Sequence, residues 1–260
     1  MVLAGNATAD GERRARQADV DSQIASLDKQ LAGPTYAGAV DPVKALKTGW
    51  QTLSQKVESR SISARDSFEA HTALVDQTIA VIELVADASG LSLDPVAESY
   101  YVMTAVVDHL PRQAEAIDVL RHTGTEALSG KELPPTTRAN LLHMAHAVHY
   151  LQGRSGAQLK KAATAAPASG QALDPSSQAA EKTADELHET AESVAATGGA
   201  MIDAANFAKL GADALAAQYK AQDAATDELH RLLQERIAAA AAQRNELLAE
   251  MGGLLLLAAA

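Results

Sequence analysis

Apolar residues recur along most of the chain at every third or fourth position, the spacing that places them on one face of an α-helix. The first such run is Val20, Ile24, Leu27 and Leu31. Because its steps of four, three and four residues follow the helical period, it predicts a first helix from about 11 to 32. The same period continues, with interruptions, into the last segment of the chain.

Three Asp-Pro pairs mark further predicted helix starts, because Asp caps a helix and Pro suits the first helical position. They begin at Asp41, Asp94 and Asp174. Together with the apolar period they predict six more helices, over about 42–57, 63–89, 95–117, 136–164, 176–197 and from 203 towards the C-terminus.

The interruptions predict a loop, a linker and a kink. The loop contains Gly124, Gly130 and the LPP run at 133–135, and the linker is APASGQALDP. Pro111 falls inside a continuing apolar period, so we expect a kinked helix there and not a break. The last helix could exceed about 50 residues, a length of about 75 Å, which is too long for one bundle. We therefore predict an all-α fold of elongated, stacked four-helix bundles (helical bimodular) with long terminal helices.

Composition agrees with this fold class and narrows the function. The chain is 47% hydrophobic but only 3% aromatic, which is typical of long helices. Its 22 basic and 33 acidic residues give a formal net charge of -11, so we expect no nucleic-acid partner. The absence of cysteine excludes disulfides and thiol catalysis. No nucleophile elbow, HExxH helix or phosphate loop occurs, so we expect neither an enzyme nor a cofactor.

The two ends of the chain carry different signals. The first residues, MVLAGNATADGERRARQ, lack the apolar core of a secretory signal, so we expect no export signal within them. The last ten, MGGLLLLAAA, are uncharged and amount to half of the roughly 20 residues that cross a bilayer. Two interpretations stay open: residues 251–260 begin a membrane span, or they form an apolar helix end that packs on its own bundle.

The stretch SLDPVAESYYVM places two tyrosines side by side in a chain that is poor in aromatics. Neighbouring residues lie about 100° apart on a helix, so both rings cannot face one core stripe. Tyr100 shares the core spacing of Val96 and Met103 and is predicted to be buried. Tyr101 is left to begin a second, polar stripe.

That polar stripe predicts a ligand site. If its helix pairs with the preceding one in an antiparallel hairpin centred near 91–92, Arg112 lies level with His71 and Thr72. A small anion could then bind between the helices, with Arg112 as its bidentate anchor. The alternative is a solvated stripe in which Arg112 pairs with Asp108 or Asp76. The predicted ligand-binding residues are Tyr101, Thr104, Asp108, Arg112, His71 and Thr72.

Three histidines, His143, His146 and His149, follow one another in the run HMAHAVH. Neighbouring members lie about 60° apart on a helix, so two of them could share a metal ion. The three together cover about 120°, and no carboxylate stands at i+4 to complete a site. We therefore predict no metal site and interpret the run as a solvated or partly buried histidine face.

The region from 68 to 112 resembles a known family. It is similar to the extracytoplasmic helical sensor region of bacterial methyl-accepting chemotaxis receptors of the helical-bimodular type. The later stretch ELHRLLQERIAAAAAQRNELL is similar to the segment that enters the second membrane span of such receptors. The matching positions of the first region are Ala86, Asp87, Ser89, Leu91, Leu93, Asp94, Pro95, Ser99, Tyr100, Tyr101, Met103, Leu110 and Pro111.

The resemblance implies one sensor domain over 1–260, made of two stacked helical modules, with 251–260 as the start of a second span. Such a domain is periplasmic, belongs to an inner-membrane receptor anchored by flanking spans, and pairs as a homodimer. It binds a small polar or anionic molecule, such as an organic acid or amino acid, and signals through displacement of its C-terminal helix. The alternative is an elongated structural or protein-interaction bundle without a small-molecule ligand.

Overall fold

Helices make up the fold, and the prediction of an all-α helical bundle is confirmed. A computed structural model describes residues 7–130, 132–199 and 202–259, and within these ranges no strand occurs. The α-helices of the described residues are α1 (Ala7–Gln30), α2 (Val40–Glu58), α3 (Ala64–Ala88), α4 (Ala97–Thr104), α5 (Leu110–Ser129), α6 (Pro135–Ala165), α7 (Pro167–Thr197) and α8 (Ala204–Ala259).

The C-terminal helices form a four-helix bundle. Both α6 and α8 pack on α5 and on α7, which closes a ring of four, and α4 adds contacts to α6 and α8. Two apolar clusters fill the interior. The first includes Ile117, Leu141 and Phe207, and the second includes Leu110 and Leu229.

The N-terminal helices form a smaller three-helix unit. In it α2 packs on α1 and α3, and the 3-10 segment Pro34–Ala39 packs on α2 and α3. Its apolar cluster consists of Leu31, Ala39, Val43 and Val81. The described packing thus divides into one four-helix bundle and one three-helix unit. A pair of stacked four-helix modules would need a further helix beside α1 to α3, and that subdivision stays a prediction.

The three Asp-Pro pairs do not begin helices, contrary to the prediction. Asp41 lies inside the first turn of α2, and Asp174 lies inside α7. Asp94 comes closest to a cap, since its Oδ1 accepts a hydrogen bond from the Val96 N–H at 3.0 Å, but α4 begins only after Val96. At Asp94 the carboxylate stabilises a turn and not the first turn of a helix.

The predicted linker APASGQALDP is helical from Pro167 onward and belongs to α7. Burial explains this outcome. Ser169 and Gly170 are buried, and a Cβ at Gly170 would lie 3.0 Å from the Ala163 Cβ of α6. Such small residues let two helices approach closely, but they resemble a flexible linker when only composition is considered.

Gly124 lies inside α5 and not in a loop as predicted, because α5 continues to Ser129. A side chain at Gly124 would collide with the buried ring of Phe207, so glycine makes room for that aromatic. Pro111 behaves as predicted in that the chain stays helical through it. A π-helical turn, Ala105–His109, joins α4 to α5 directly before Pro111.

The last helix, α8, has 56 residues, which confirms the predicted length and corresponds to about 84 Å. Its distal part leaves the bundle, since Leu247, Leu248, Met251 and Leu254 are exposed. The side chains of 253 and 255–260 lie outside the described residues. None of the described helices combines the length and apolar character needed to cross a bilayer.

Candidate functional site: a polar layer in the bundle core

A layer of buried polar side chains separates the two apolar clusters of the four-helix bundle. Each member lies three or four positions from a buried apolar residue of its own helix, so the helical period directs it to the interior. Each is at most 9% exposed. This polar layer consists of Gln113 on α5, Gln152 and Ser155 on α6, and Gln218 on α8.

The polar layer borders a cavity of about 70 Å³. On this measure a water molecule needs about 10 to 15 Å³, so the cavity has room for several waters or one small molecule. Lys160, Asp174 and Glu181 also line it, and all three are exposed. The cavity therefore communicates with solvent between α6 and α7.

Hydrogen bonds hold the members of the polar layer in place. Ser155 Oγ donates to Gln113 Oε1 at 2.5 Å, and Gln218 Nε2 donates to the Leu110 carbonyl at 3.1 Å. Gln152 Nε2 donates to Asp185 Oδ1 at 3.0 Å.

Two buried acceptors of the layer stay unpaired among the described residues: Oε1 of Gln152 and Oε1 of Gln218. Leaving one buried acceptor without a donor costs about 1–3 kcal/mol. Both residues line the cavity, so an occupant with N–H or O–H groups could pair with these oxygens once the two amides turn towards it. Amides and a hydroxyl suit hydrogen-bonded ligands better than they suit transition metals, which prefer imidazole or thiolate.

Arg112, the predicted anchor for an anion, is already paired with two carboxylates. Its Nε donates to Asp108 Oδ1 at 2.7 Å, and its Nη2 donates to Glu83 Oε1 at 2.5 Å. All three side chains are about 40% exposed. These contacts correspond to the solvated alternative, with Glu83 in place of Asp76, and an anion would have to displace both carboxylates.

The other residues predicted beside Arg112 do not gather around it. Thr72 lies near Glu115, and burial raises the pKa of that carboxyl despite the opposing effect of the Thr72 hydroxyl. His71 lies 6.4 Å from Trp50 between ring centroids and faces the three-helix unit. The predicted pairing of Arg112 with 71 and 72 is therefore wrong. A 3-10 turn and the extended residues 94–96 move the centre of the hairpin towards the C-terminus.

The two tyrosines exchange their predicted places. Tyr100 is 40% exposed, so its assignment to the core is wrong. Tyr101 packs against the apolar cluster around Leu110, with Lys161 Nζ 5.4 Å from its ring centroid. The Thr104 hydroxyl of the same predicted stripe bonds the Tyr100 carbonyl at 2.8 Å. The buried stripe of this segment is Ser99, Val102, Met103 and Ala105.

Sequence reasoning missed the polar layer, although a signal was present. Gln113 lies three positions after Leu110 and four before Ile117, which is a core spacing, although Ala114 also satisfies the apolar period there. A polar residue at a core position is the informative exception to burial rules. One such residue is weak evidence, and only the packing of α5, α6 and α8 shows that several of them meet.

The chain matches no model of a known protein family, no curated protein and no solved structure. The similarity of 68–112 to chemoreceptor sensor regions therefore rests on its sequence pattern alone and stays a prediction.

Proposed function

We propose that this chain is a ligand-sensing module that binds a small polar molecule at the polar layer of its four-helix bundle. The observation that carries the proposal is the pair of unpaired amide oxygens, on Gln152 and Gln218, beside a cavity that communicates with solvent. A ligand with at least two N–H or O–H donors can pair with both oxygens, and a ligand of only a few heavy atoms fits the volume of the cavity. Short amides, amines, amino acids and polyols belong to this class.

Displacement of α8 would carry the signal. Gln218 and Ala221 of α8 line the cavity, and Gln218 is also bonded to the backbone of α5. A ligand that competes for the Gln218 amide changes how α8 rests on α5. Shifts of about 1–2 Å between packed helices are an established means of signalling, and α8 continues unbroken beyond the bundle.

On this proposal the chain is the periplasmic sensor of an inner-membrane chemotaxis receptor, acts as a homodimer and catalyses no reaction. The sequence pattern of 68–112 supports the receptor class. The ligand class is narrower than the sequence alone suggested, because Arg112 is neutralised by Asp108 and Glu83 and offers an anion little attraction.

A thermal-shift screen of short amides, amines, amino acids, polyols and small carboxylates tests the proposal. A ligand at about one hundred times its Kd should stabilise the fold by about 2.7 kcal/mol. Gln218→Leu and Gln152→Leu should abolish the shift, whereas Gln234→Leu, the same change at an exposed position of α8, should leave it intact.

Two results would contradict the proposal. One is a screen in which no compound of these classes raises the melting temperature. The other is a carboxylate whose binding survives Gln218→Leu but is lost in Arg112→Ala, since that result would move the site to the Arg112 side chain between α3 and α5.

A further inference from the structure

A cluster of metal-ligating side chains lies where α6 meets α7, outside the polar layer. His146 Nε2 is 3.3 Å from Glu192 Oε1, and His188 Nε2 is 3.5 Å from the same oxygen. These three atoms all lie within 4.8 Å of one another. We call His146, His188 and Glu192 the α6–α7 histidine cluster.

The helical period and the α6–α7 hairpin bring the cluster together. His188 and Glu192 are four positions apart on α7, so they share one face of that helix. A single residue, Ala166, separates α6 from α7, which places His146 across from this pair in an antiparallel arrangement. The carboxylate that the run HMAHAVH lacks on its own helix is thus supplied by the neighbouring helix.

Two of the three distances within the cluster suit a tetrahedral metal ion, and the third, between the ligand atoms of His146 and His188, is at most 4.8 Å. Nitrogen and oxygen ligands about 2.0–2.2 Å from Zn²⁺ lie about 3.3–3.6 Å from one another in a tetrahedral site. Both distances to Glu192 fall in this range. Two imidazoles and one carboxylate also form a typical set of three protein ligands for zinc, with the fourth position left to water or another ligand.

The environment of His188 supports the same conclusion. Its Nε2 is buried and makes no well-formed hydrogen bond among the described residues, even though Glu192 is near. His149 stacks on the His188 ring, with centroids 4.9 Å apart and planes 25° apart. The stacking limits the movement of the His188 ring and keeps its unpaired nitrogen within 3.5 Å of Glu192 Oε1.

We propose that His146, His188 and Glu192 bind a divalent transition metal ion, with Zn²⁺ as the best-suited ion. Imidazole nitrogen selects Zn²⁺, Ni²⁺ and Cu²⁺ over Mg²⁺ and Ca²⁺, which prefer oxygen ligands. The proposal is independent of the ligand-sensing function, because none of the three residues belongs to the polar layer. The competing interpretation is a metal-free cluster in which His146 hydrogen-bonds Glu192 and His188 lies beside the same carboxylate.

Calorimetric titration of the purified chain with Zn²⁺ tests the proposal, and a visible absorption spectrum with Co²⁺ reports the coordination geometry. We expect one site per chain and a tetrahedral or five-coordinate cobalt spectrum. His188→Ala and Glu192→Gln should each weaken Zn²⁺ binding by at least about tenfold. His230→Ala is the matched control, because it removes an exposed histidine on α8 and should leave the affinity unchanged.

Glu192→Gln keeps the test decisive if His188→Ala impairs folding, since Glu192 is half-exposed and the change preserves its shape. Far-UV circular dichroism and the melting temperature without metal establish that each variant is folded. Unchanged Zn²⁺ affinity in folded Glu192→Gln and His146→Ala would overturn the proposal, as would no binding at all or an octahedral cobalt spectrum. Any of these results would leave the cluster as two histidines beside the Glu192 carboxylate without a metal.

Discussion

The four-helix bundle and the three-helix unit bury their apolar residues to different extents. In the bundle, Leu120, Leu141 and Phe207 are completely enclosed. In the three-helix unit, α1, α2 and α3 leave a cleft of about 520 Å³ between them. Val20 and Val75 line this cleft and stay 37% and 36% exposed.

The number of helices explains the difference. Four helices surround an interior on all sides, whereas three helices leave one side open when one of them, here the polar α1, packs mainly on a single neighbour. A polar group enclosed in the bundle away from the cavity must find its hydrogen-bond partners within the protein. An apolar group at the open cleft can move or contact water at lower cost. We therefore expect equal substitutions to have unequal effects in the two regions.

The largest effect is expected from removing apolar volume. Leu141→Ala in the bundle should destabilise the chain by about 3–5 kcal/mol, because the enclosed cavity it creates cannot collapse fully. Leu46→Ala, which lines the cleft, should cost only about 2 kcal/mol, since solvent can enter there. Urea unfolding of both variants measures the difference, and equal losses would remove the distinction between the two regions.

The second-largest difference in stability between the two regions is expected from adding one methyl group. Gly124→Ala places a Cβ against the enclosed Phe207 ring and should destabilise by about 1–3 kcal/mol. Gly49→Ala in α2 meets only the end of the Leu74 side chain, at 2.8 Å, beside the cleft.

Because Ala favours a helix over Gly by up to about 1 kcal/mol, Gly49→Ala should be neutral or stabilising. Thermal melts of Gly124→Ala and Gly49→Ala measure both effects. A stabilising Gly124→Ala would mean that Phe207 moves easily, and the bundle would then be less tightly packed than its burial indicates.

The turn between the two regions is tied to α8 by an ion pair. Arg236 Nη1 donates to Asp94 Oδ1 at 2.6 Å, and the Asp94 side chain is fully buried. Burial alone would raise the pKa of Asp94, but hydrogen bonds from Arg236, the Val96 N–H and Ser99 outweigh it and hold the pKa below its usual value.

A lowered pKa means that Asp94 stabilises the fold above about pH 4 and loses this contribution as the pH falls through its folded-state pKa. Asp94→Asn should therefore destabilise the chain by about 1–2 kcal/mol at pH 7 and by less at pH 3. Urea midpoints at the two pH values provide the measurement. The same loss at both would show that Asp94 acts through its shape and not through its charge.

The smallest effect is expected at the surface between the two regions. Arg112→Ala removes contacts to Asp108 and Glu83 that are open to solvent and should cost less than about 1 kcal/mol. If charge attraction is the source of this stability, added salt should lower the free energy of unfolding of the parent chain and leave that of the variant nearly unchanged. A loss of several kcal/mol would instead mean that this ion-pair network holds the three-helix unit on the bundle.

The sequence by itself determined the helices. Apolar residues at every third or fourth position are a local property, so α1, α3, α6 and α8 lie close to where the period predicts them. The αL conformation of Gly198 at the end of α7 follows equally from local chemistry, because glycine adopts it without strain.

Only the tertiary structure decided which polar and small residues are buried. Ser99 and Ala105 occupy the buried stripe that hydrophobicity assigned to Tyr100, and Ser169 and Gly170 turn an apparent linker into a helix. Whether a small or polar residue is enclosed depends on how closely another helix approaches, and a single helix carries no information about that distance. The polar layer and the histidine cluster exist for the same reason, since each joins residues of different helices through their packing.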